Sequence, residues 1–232
     1  MRTLQEPILL SVIIPTLNEA VRLPAVLAAL KSRVAEIVVS DGGSDDDTTS
    51  IAGAAGALVV YASRGRGSQL AAGAAAASGG WLLFLHADCR LGVGWETAVR
   101  AFIAEPDAAG RAGYFAFALD DPSRAARRLE RLVRWRCSLL ALPYGDQGLL
   151  ISRRLYEAVG GFAAVPLMED VDLVRRLGRR RLAPLPVPLY SSARRYLGEG
   201  YIRRPLRNLF CLSLYFAGVK PRRIARLYGL QT

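Results

Sequence analysis

The feature that most constrains this fold is the alternation of short apolar runs with helical segments over residues 8–88. Ile8 to Ile14 is an apolar, β-branched run that ends at Pro15, which predicts a buried strand. Strands that alternate with helices pair in parallel through right-handed crossovers and are covered on both faces. We therefore expect an α/β fold with a Rossmann-like, mostly parallel sheet and helices on both faces. Further strands of this unit are predicted at 36–40, 57–61 and 81–85.

The rest of the chain has a less regular pattern. At 232 residues the chain is long enough for one large domain, and no repeat or low-complexity linker divides it. We expect a single domain with a C-terminal helical extension. The pattern predicts strands at 114–119 and 148–152 and helices at 95–102, 123–140 and 169–177.

Charge is distributed unevenly between the two halves. Residues 1–121 hold 9 Lys/Arg and 13 Asp/Glu, residues 122–232 hold 22 and 7, and the whole chain has a net charge of +11. A basic second half suits phosphate-bearing substrates, an anionic membrane surface or nucleic acid, and it is also typical of a solvated, arginine-rich surface. The arginines are spread over several segments without a helix-turn-helix, a zinc finger or an aromatic platform, so we expect no nucleic-acid partner.

Cysteine content and the length of apolar runs bear on the compartment. Cys89, Cys137 and Cys211 are odd in number and far apart, which indicates neither a disulfide framework nor a zinc site. Met1 to Pro7 lacks the pattern of a secretory signal. The longest apolar stretches, such as 209–219, are shorter than the roughly 20 residues that span a bilayer. We therefore expect a cytoplasmic protein.

Two carboxylates follow predicted strands. Asp41 precedes Gly42-Gly43, and Asp88 follows the strand at 81–85. Ligands of open α/β sheets bind beyond the carboxyl ends of the strands, and two carboxylates on neighbouring strand ends need a cation or hydrogen-bond donors to offset their charge. The alternative for Asp41 is turn capping, and the alternative for Asp88 is capping of the next helix.

Three motifs occur in order at these strand ends: Ser11-Val-Ile-Ile-Pro-Thr-Leu-Asn18-Glu19, Val39-Ser-Asp41-Gly-Gly-Ser44-Asp45 and Phe84-Leu-His86-Ala-Asp88. Together they resemble a family 2 glycosyltransferase of the GT-A fold, and most closely its small bacterial branch, which carries His-Ala-Asp. The resemblance covers residues 8–200. It implies a GT-A domain over 1–200, with a nucleotide-binding part at 1–121 and an acceptor part at 122–200, followed by basic amphipathic helices at 201–232.

The resemblance implies a pocket for a nucleoside diphosphate. Asp41 accepts a hydrogen bond from the base in this interpretation, and because a carboxylate can bind an N–H of uracil or guanine, the donor is a UDP- or a GDP-sugar. Arg66 is expected to approach the diphosphate, and Gly65 and Gly67 allow a close backbone, although such a segment is also typical of a basic surface turn. The residues implied to bind the nucleotide are Pro15, Thr16, Glu19, Asp41, Gly43, Arg66, Ala87 and Asp88.

The resemblance also implies a divalent metal ion, Mn²⁺ or Mg²⁺. Asp88 would bind the ion, which bridges the two phosphates and offsets charge on the departing nucleoside diphosphate. Most members of the family carry Asp where this chain has His86. Since a neutral imidazole binds Mn²⁺ but is a poorer match to Mg²⁺, His86 is either a second metal ligand or a residue that supports the strand end.

Glu169-Asp170 matches the acidic pair that opens a helix in this family. Asp170 is implied to be the base that removes a proton from the acceptor hydroxyl, and Glu169 is implied to orient the sugar or the acceptor. The alternative for both residues is stabilisation of the helix N-terminus. Two further residues, Asp146 and Gln147, are implied to lie on the acceptor side.

Arg194 and Arg195 lie where larger processive relatives carry Gln-x-x-Arg-Trp. Because the Gln is absent we expect no polymer synthesis, while either arginine would bind the diphosphate. A solvent-facing pair is the alternative.

We therefore predict an inverting, metal-dependent glycosyltransferase that moves a sugar to an acceptor hydroxyl or a lipid phosphate. A sugar-nucleotide nucleotidyltransferase and a basic nucleic-acid-binding protein are the alternatives. The basic amphipathic patterns at 123–140 and around 209–219 predict peripheral contact with the inner face of the cell membrane and a lipid-linked acceptor. The same apolar faces would otherwise cover the sheet or a second copy of the chain in a homodimer.

Overall fold

The computed structural model describes residues 8–228, and over this range the chain forms one sheet of eight strands in the order β3-β2-β1-β4-β7-β6-β8-β5. The strands are β1 (Ile8–Thr16), β2 (Val34–Asp41), β3 (Leu58–Tyr61), β4 (Trp81–Phe84), β5 (Arg90–Leu91), β6 (Ala112–Leu119), β7 (Leu149–Ser152) and β8 (Leu182–Ser191). The helices are α1 (Leu23–Leu30), α2 (Thr48–Ala54), α3 (Arg66–Ala76), α4 (Trp95–Ile103), α5 (Arg124–Leu140), α6 (Arg153–Ala158), α7 (Glu169–Leu177), α8 (Arg194–Glu199), α9 (Arg203–Phe216) and α10 (Pro221–Tyr228).

The first half of the chain is the predicted parallel unit. β1 pairs in parallel with β2 on one side and with β4 on the other, and β2 pairs in parallel with β3. One expectation is wrong, because β2 and β4 are not neighbours: β1 lies between them. Asp41 and Asp88 therefore follow strands that flank β1, and a ligand that reaches both must cross the end of β1.

The second half extends the sheet with mixed pairing. β7 is antiparallel to β4 and β6, whereas β6 and β8 are parallel. β8 has no counterpart among the predicted strands, because Pro184, Pro186 and Pro188 argue against a strand in an interior position. Prolines two residues apart remove N–H donors from one edge of a strand only, and the ladder from β8 to β6 runs from Leu182 to Ser191.

The helices cover both faces of the sheet, as predicted. On one face Leu27 and Leu30 of α1 and Phe102 of α4 belong to one buried cluster that also contains residues of β1. On the other face α3 and α7 contribute Leu70 and Leu173 to a second buried cluster.

The small residues of α3 follow from its position against β1. A Cβ added at Gly73 would lie 2.5 Å from Ile13 Cγ2, so the helix could not lie as close with a larger residue there. The glycine at position 73 is therefore a packing requirement, whereas Ala75 and Ala76 of the same helix are exposed.

The basic helix α5 divides its apolar residues between the core and solvent. Leu129 and Val133 pack on β6, as an amphipathic helix requires, whereas Leu132 and Leu140 are exposed. The prediction that one apolar face of α5 is buried is therefore only partly correct. Within the described residues 8–228, Leu132 and Leu140 of this face stay exposed. Among the helices of residues 8–228, none combines the length and the apolarity needed to span a bilayer.

Arg153 at the start of α6 ties the second half of the chain to α3. Its guanidinium donates to the carbonyl oxygens of Gly79 at 3.0 Å, Ala74 at 3.2 Å and Ala77 at 2.6 Å. These carbonyls belong to the last turn of α3 and the residues after it, where a helix leaves acceptors without intrahelical partners.

We expect Arg153→Ala to lower the free energy of unfolding by about 1.5–3 kcal/mol, because three carbonyls lose a charged donor. Urea denaturation at constant m-value measures this change. The neighbouring Arg154 is exposed and serves as the control, so Arg154→Ala should change the free energy by less than about 0.5 kcal/mol. Equal effects of the two substitutions would contradict the role of Arg153.

Candidate active site

The ends of β1 and β2 form one side of the site. Asp41 is 1% exposed, and its Oδ1 accepts a hydrogen bond from Thr16 Oγ1 at 3.0 Å. Its Oδ2 accepts from the backbone N–H groups of Gly43 at 2.9 Å and Ser44 at 2.8 Å, and the Ser44 hydroxyl donates to Oδ1. Burial raises the pKa of Asp41, but these hydrogen bonds outweigh burial and hold the pKa below its ordinary value.

This carboxylate therefore organises the turn that follows β2, as the turn-capping alternative requires. A carboxylate has about four acceptor positions, and the donors of Thr16, Gly43 and Ser44 occupy that capacity. A base N–H would have to replace one of these donors, so contact of Asp41 with the base stays a prediction.

Gln69, which the motifs did not single out, holds the two strand ends together. Its buried side-chain amide donates to the carbonyl of Thr16 at 2.6 Å and to the carbonyl of Ser40 at 3.1 Å. Gly42 lies against it, since a Cβ added there would lie 3.0 Å from the Gln69 amide. A glutamine within the alanine-rich α3 was the only sequence signal for this role.

The segment after β1 is fixed to the turn after β2. The backbone N–H of Glu19 donates to Thr48 Oγ1 at 2.8 Å, and the carboxylate of Glu19 pairs with Arg22 at 2.6 Å. Pro15 is half-buried beside Thr16, and Gly43 is exposed with φ +89°, a conformation that favours glycine. The predicted nucleoside residues of β1 and β2 are thus brought together.

His86 and Asp88 follow β4, and both are half-buried, while Ala87 between them is buried. Burial lowers the pKa of His86 well below its ordinary value, and the charges of Arg66 and Arg195 lower it further, so the imidazole is neutral near pH 7. Capping by Asp88 does not occur, because α4 begins at Trp95 after Gly94.

His86 and Asp88 fit a divalent ion that binds together with a phosphate-bearing substrate. Within residues 8–228 no group of three or more His, Cys, Asp or Glu side chains could hold a metal by itself. Asp88 offers a carboxylate oxygen and His86 a neutral nitrogen, and Mg²⁺ typically binds through one or two carboxylates, waters and substrate phosphates. The donor set therefore suits a metal that arrives with a diphosphate.

Arg66 lies between the two sides of the site. Its guanidinium is 39% exposed and lies 3.5 Å from Glu169 Oε1, which belongs to the acidic pair. Burial lowers the pKa of Arg66, but the charges of Glu169, Asp170, Asp88 and Asp146 outweigh it and raise the pKa. Arg66 therefore interacts with four carboxylates that come from three separate segments of the chain, and Arg136 is a second cation near Asp146.

Gly67 brings the segment before the acidic pair to α3. A Cβ added at Gly67 would lie 2.2 Å from the carbonyl oxygen of Ala163 and 2.9 Å from that of Val165. The expectation that this glycine lets the backbone approach a diphosphate is thus corrected, since the close neighbour is the backbone of residues 163–165. This contact holds the start of α7 beside Arg66.

The acidic pair opens α7, as predicted. Asp170 Oδ2 accepts a hydrogen bond from the backbone N–H of Gly145 at 2.7 Å, and Oδ1 accepts from Val171 at 2.7 Å. Glu169 is 2% exposed; burial raises its pKa, Arg66 partly offsets the rise, and the charge of Asp170 adds to it. Met168 before the pair has φ +68°, which is uncommon for a residue with a side chain.

Asp146 and Gln147 lie in the short 3₁₀ helix Gly145–Gln147, close to Asp170. Asp146 Oδ1 is buried without a hydrogen-bond partner among the described residues. Burial raises the pKa of Asp146 to about 6, with Arg136 and Arg66 lowering it and Asp170 raising it. An unpartnered buried carboxylate oxygen is available for a hydroxyl donor.

Gln147 differs from its expected role. Its side chain is 2% exposed, and Oε1 accepts from Arg136 Nη2 at 3.2 Å and from the Cys137 thiol at 3.1 Å, while Nε2 donates to the carbonyl of Phe115 at 3.1 Å. Gln147 therefore supports the loop from within. Arg136 was missed, because one arginine among many in α5 carries no distinguishing signal in the sequence.

Arg194 and Arg195 begin α8 after β8, and both are exposed. The charge of Arg195 reaches His86, where it lowers the pKa of the imidazole. The Arg194 side chain has no hydrogen bond or ion pair within the described range 8–228. The structure therefore brings Arg195, but not Arg194, into the neighbourhood of the site.

The chain matches one family profile, and known proteins share its fold. The sequence profile described as Glycosyl transferase family 2 matches residues 11–163. Glucosyl-3-phosphoglycerate synthase from Mycobacterium tuberculosis, solved with Mn²⁺, UDP and glucosyl-3-phosphoglycerate, is 22% identical at a TM-score of 0.58, over 90% of this chain and 80% of that chain. The same enzyme with Mg²⁺ and UDP is 22% identical at a TM-score of 0.58, over 90% and 79%.

A second enzyme has the same fold. Mannosyl-3-phosphoglycerate synthase from Rubrobacter xylanophilus is 19% identical at a TM-score of 0.61, over 96% of this chain and 76% of that chain. No curated protein sequence matches this chain with significance.

The fold is thus GT-A, a mostly parallel, Rossmann-like sheet with acidic residues beyond its strand ends. Since the family profile covers residues 11–163 of 232, the chain belongs to glycosyl transferase family 2. It is a glycosyltransferase, as the motifs predicted.

The raised pKa of Asp146 makes its effect on stability depend on pH. The folded protein holds the proton of this acid more tightly than the unfolded chain, because the pKa rises from 3.8 to about 6. The favourable contribution is therefore complete below about pH 4 and is lost as the pH rises to about 6. At neutral pH the folded protein carries a buried charge that an amide would not have.

We expect Asp146→Asn to raise Tm at about pH 7 and to have little effect near pH 4. The rise should be roughly 2–4 °C for each kcal/mol gained in the free energy of unfolding. Thermal denaturation across this range measures the difference. Asp45→Asn, at an exposed position, is the control and should leave the profile unchanged. Parallel curves for wild type and Asp146→Asn from pH 4 to pH 8 would contradict the raised pKa.

Proposed function

We propose that the chain transfers a sugar from a UDP- or GDP-sugar to an acceptor hydroxyl or phosphate, with inversion and with Mn²⁺ or Mg²⁺. The observation that carries this proposal is the position of Arg66, which links the β4 end at Asp88 with the acidic pair at Glu169. A guanidinium in this position is suited to bind a diphosphate bidentately. Of the carboxylates near it, Asp88 would bind the metal and Asp170 would be the base.

The nucleoside would bind where β1 and β2 end. Pro15, Thr16 and Glu19 would line the nucleoside, and Gly43 leaves room beside the turn held by Asp41. UDP is present in the solved complexes of the glucosyl-3-phosphoglycerate synthase, which supports UDP over GDP for this chain. Asp41 would accept a hydrogen bond from the base in exchange for one of the donors of this turn.

Asp88 would hold the metal, with His86 as a second ligand for Mn²⁺. When bound, such an ion offsets charge on the departing diphosphate. The neutral imidazole supports this role, whereas Arg66 and Arg195 near it weaken binding of a free cation. The ion is therefore expected to bind with the nucleotide and only weakly without it.

We expect Mn²⁺ to strengthen binding of UDP or GDP by about tenfold or more, and Asp88→Ala to abolish this effect. Titration calorimetry with Mn²⁺ and with EDTA measures it. Asp47→Ala, at an exposed aspartate outside the strand ends, should retain the metal effect. Equal nucleotide affinity with Mn²⁺ and with EDTA in the unmutated protein would rule out the metal role.

Asp170 would act as the base and Asp146 would orient the acceptor. Hydrogen bonds from Gly145 and Val171 fix the Asp170 carboxylate while each oxygen keeps an acceptor position. The unpartnered Oδ1 of Asp146 would accept a hydrogen bond from the acceptor. Glu169 would hold Arg66, and Arg195 would add positive charge for a phosphate on the donor or the acceptor.

We expect Asp170→Asn to lower turnover with a hydroxyl acceptor by a factor on the order of 10² to 10⁴, with nucleotide affinity unchanged. Glu169→Gln should lower turnover less. Release of nucleoside diphosphate measures the rate, and Asp172→Asn on the same helix is the control. Full turnover in Asp170→Asn would remove this residue from the mechanism.

The basic half would bind an acceptor or surface that carries phosphate. The neighbouring synthase is solved with phosphoglyceric acid, which supports a phosphate-bearing acceptor here. We favour a lipid-borne phosphate, because α9 turns an apolar stripe to solvent. The stripe has helical spacing and consists of Ile202, Leu206, Leu209, Phe210 and Phe216, exposed by 73, 59, 57, 58 and 50%.

Cations flank this stripe. Arg203, Lys220, Arg222 and Arg223 are exposed at the two ends of α9. An apolar stripe with cations at both ends suits an anionic lipid surface, on which each cation adds about 1 kcal/mol. Residues 1–121 would then bind the nucleotide, 122–200 the acceptor, and 201–232 the inner face of the membrane.

We expect the protein to float with anionic phosphatidylglycerol vesicles at low salt and to float less at high salt, where the attraction is screened. The double change Leu209→Gln and Phe210→Gln should reduce flotation at all salt concentrations. The double change Val21→Gln and Val93→Gln, at exposed apolar positions in the first half of the chain, is the control and should leave flotation unchanged. A protein that stays out of anionic vesicles at low salt would contradict the proposal and favour a homodimer.

A further inference from the structure

A cavity of about 450 Å³, separate from the candidate active site, lies between α5 and the part of the sheet formed by β6 and β8. Of the residues predicted for the active site, Gln147 alone lines it. Its volume falls within the range of about 300–1,000 Å³ that is typical of small-ligand sites. The lining residues used below are Tyr114, Phe117, Glu130, Arg134, Ser138 and Arg179.

The charge of this cavity is positive. Arg134 is exposed and has no ion pair within residues 8–228. Arg179 donates to the carbonyl oxygens of Ser138 at 3.0 Å and Leu139 at 3.3 Å, so its charge faces the negative end of α5 but no carboxylate. The acid Glu130 is neutralised, because it accepts from the N–H of Leu119 at 2.8 Å and pairs with Arg127 at 2.7 Å.

The floor of the cavity is aromatic and apolar, with one unused polar group. Tyr114 is 9% exposed, and its hydroxyl has no hydrogen-bond partner in the part of the chain that the structure describes. Burial raises the pKa of this phenol, so it remains a neutral donor. A hydroxyl that lines a cavity and has no protein partner can donate to water or to a ligand. Phe117 and Leu182 add apolar surface beside it.

We propose that this cavity binds a small amphiphilic anion, a phosphate or carboxylate joined to an apolar group. The anionic group contacts Arg134 at the mouth, where Ser138 is also exposed, and the apolar group lies on Phe117 and Tyr114. A purely apolar ligand would leave Arg134 and the Tyr114 hydroxyl unused. A purely ionic ligand would leave the aromatic floor in contact with water.

This site touches the active site through one side chain. Gln147 lines the cavity, and its neighbour Asp146 lies near Asp170 and Arg66. Cys137 also lines the cavity and donates to Gln147 Oε1 at 3.1 Å. A ligand in the cavity would therefore contact Gln147, which supports the loop that carries Asp146. Binding of this ligand does not depend on the glycosyltransferase assignment.

Decyl phosphate is a suitable probe, measured by titration calorimetry on the full chain below the concentration at which the probe forms micelles. We expect one molecule bound per chain. Decanol and inorganic phosphate should each bind at least about tenfold more weakly than decyl phosphate. UDP with Mn²⁺ should not displace the probe. If inorganic phosphate binds as tightly as decyl phosphate, the apolar part of the proposal is wrong.

Three variants locate the binding. Arg134→Gln should weaken decyl phosphate binding by about tenfold or more, because a charge-assisted contact is lost. Ser138→Trp, at an exposed position on the mouth, should block binding without changing the core. Arg128→Gln removes an exposed arginine of α5 that does not line the cavity, and it should change binding less than about twofold.

Three results would overturn the proposal. The first is no saturable binding of decyl phosphate, in which case the cavity holds only water. The second is an equal loss in Arg134→Gln and Arg128→Gln, which would mean that the probe binds the basic surface or the α9 stripe. The third is competition by UDP, which would mean that the probe occupies the donor side.

Discussion

The charge balance around Arg66 is the interaction on which the rest of the site depends. Glu169, Asp170, Asp88 and Asp146 come from three segments that are distant in sequence, and all four raise the pKa of this guanidinium. Without a cation among them, the carboxylates would repel one another, and their pKa values would rise. Arg66 can take this position because it opens α3, and Gly67 next to it lets the backbone of residues 163–165 come close. The fold thus places one cation between the residues that we propose to bind the nucleotide and the acidic pair.

A second network holds the proposed acceptor side in place. Arg136 of α5 stacks 3.4 Å from the ring centre of Tyr144 and donates to Gln147 Oε1 and to the carbonyl of Leu142. These contacts fix the loop 142–148, and that loop donates its Gly145 N–H to Asp170. The basic helix therefore contributes structure to the site in addition to charge. This explains why α5 contains Arg136 on its half-buried side in addition to the arginines on its exposed side.

Much of the structure around the proposed nucleotide side could be predicted from the sequence, because its strands and helices follow from local patterns. The strands that end at Asp41 and before Asp88 are continuous apolar runs, and the acidic pair at 169–170 opens a helix as its charge predicts. The remainder depends on tertiary contacts. β8 carries prolines that local rules exclude from a strand, and only its pairing with β6 makes it one. The order of strands was also out of reach, because the sequence does not say that β1 lies between β2 and β4. Gln69 and Arg136 act through partners that are distant in the chain.

Hydrogen–deuterium exchange of the full chain, with and without UDP and Mn²⁺, tests the central claim most directly. If the diphosphate binds at Arg66, between the strand ends and the acidic pair, exchange should slow in three places. These are the ends of β1 and β2, residues 64–70, and the start of α7. Exchange in α5 and β8 should change little, because these elements lie away from the proposed donor residues. Slower exchange confined to α5 and β8, with no change at 64–70, would contradict the account.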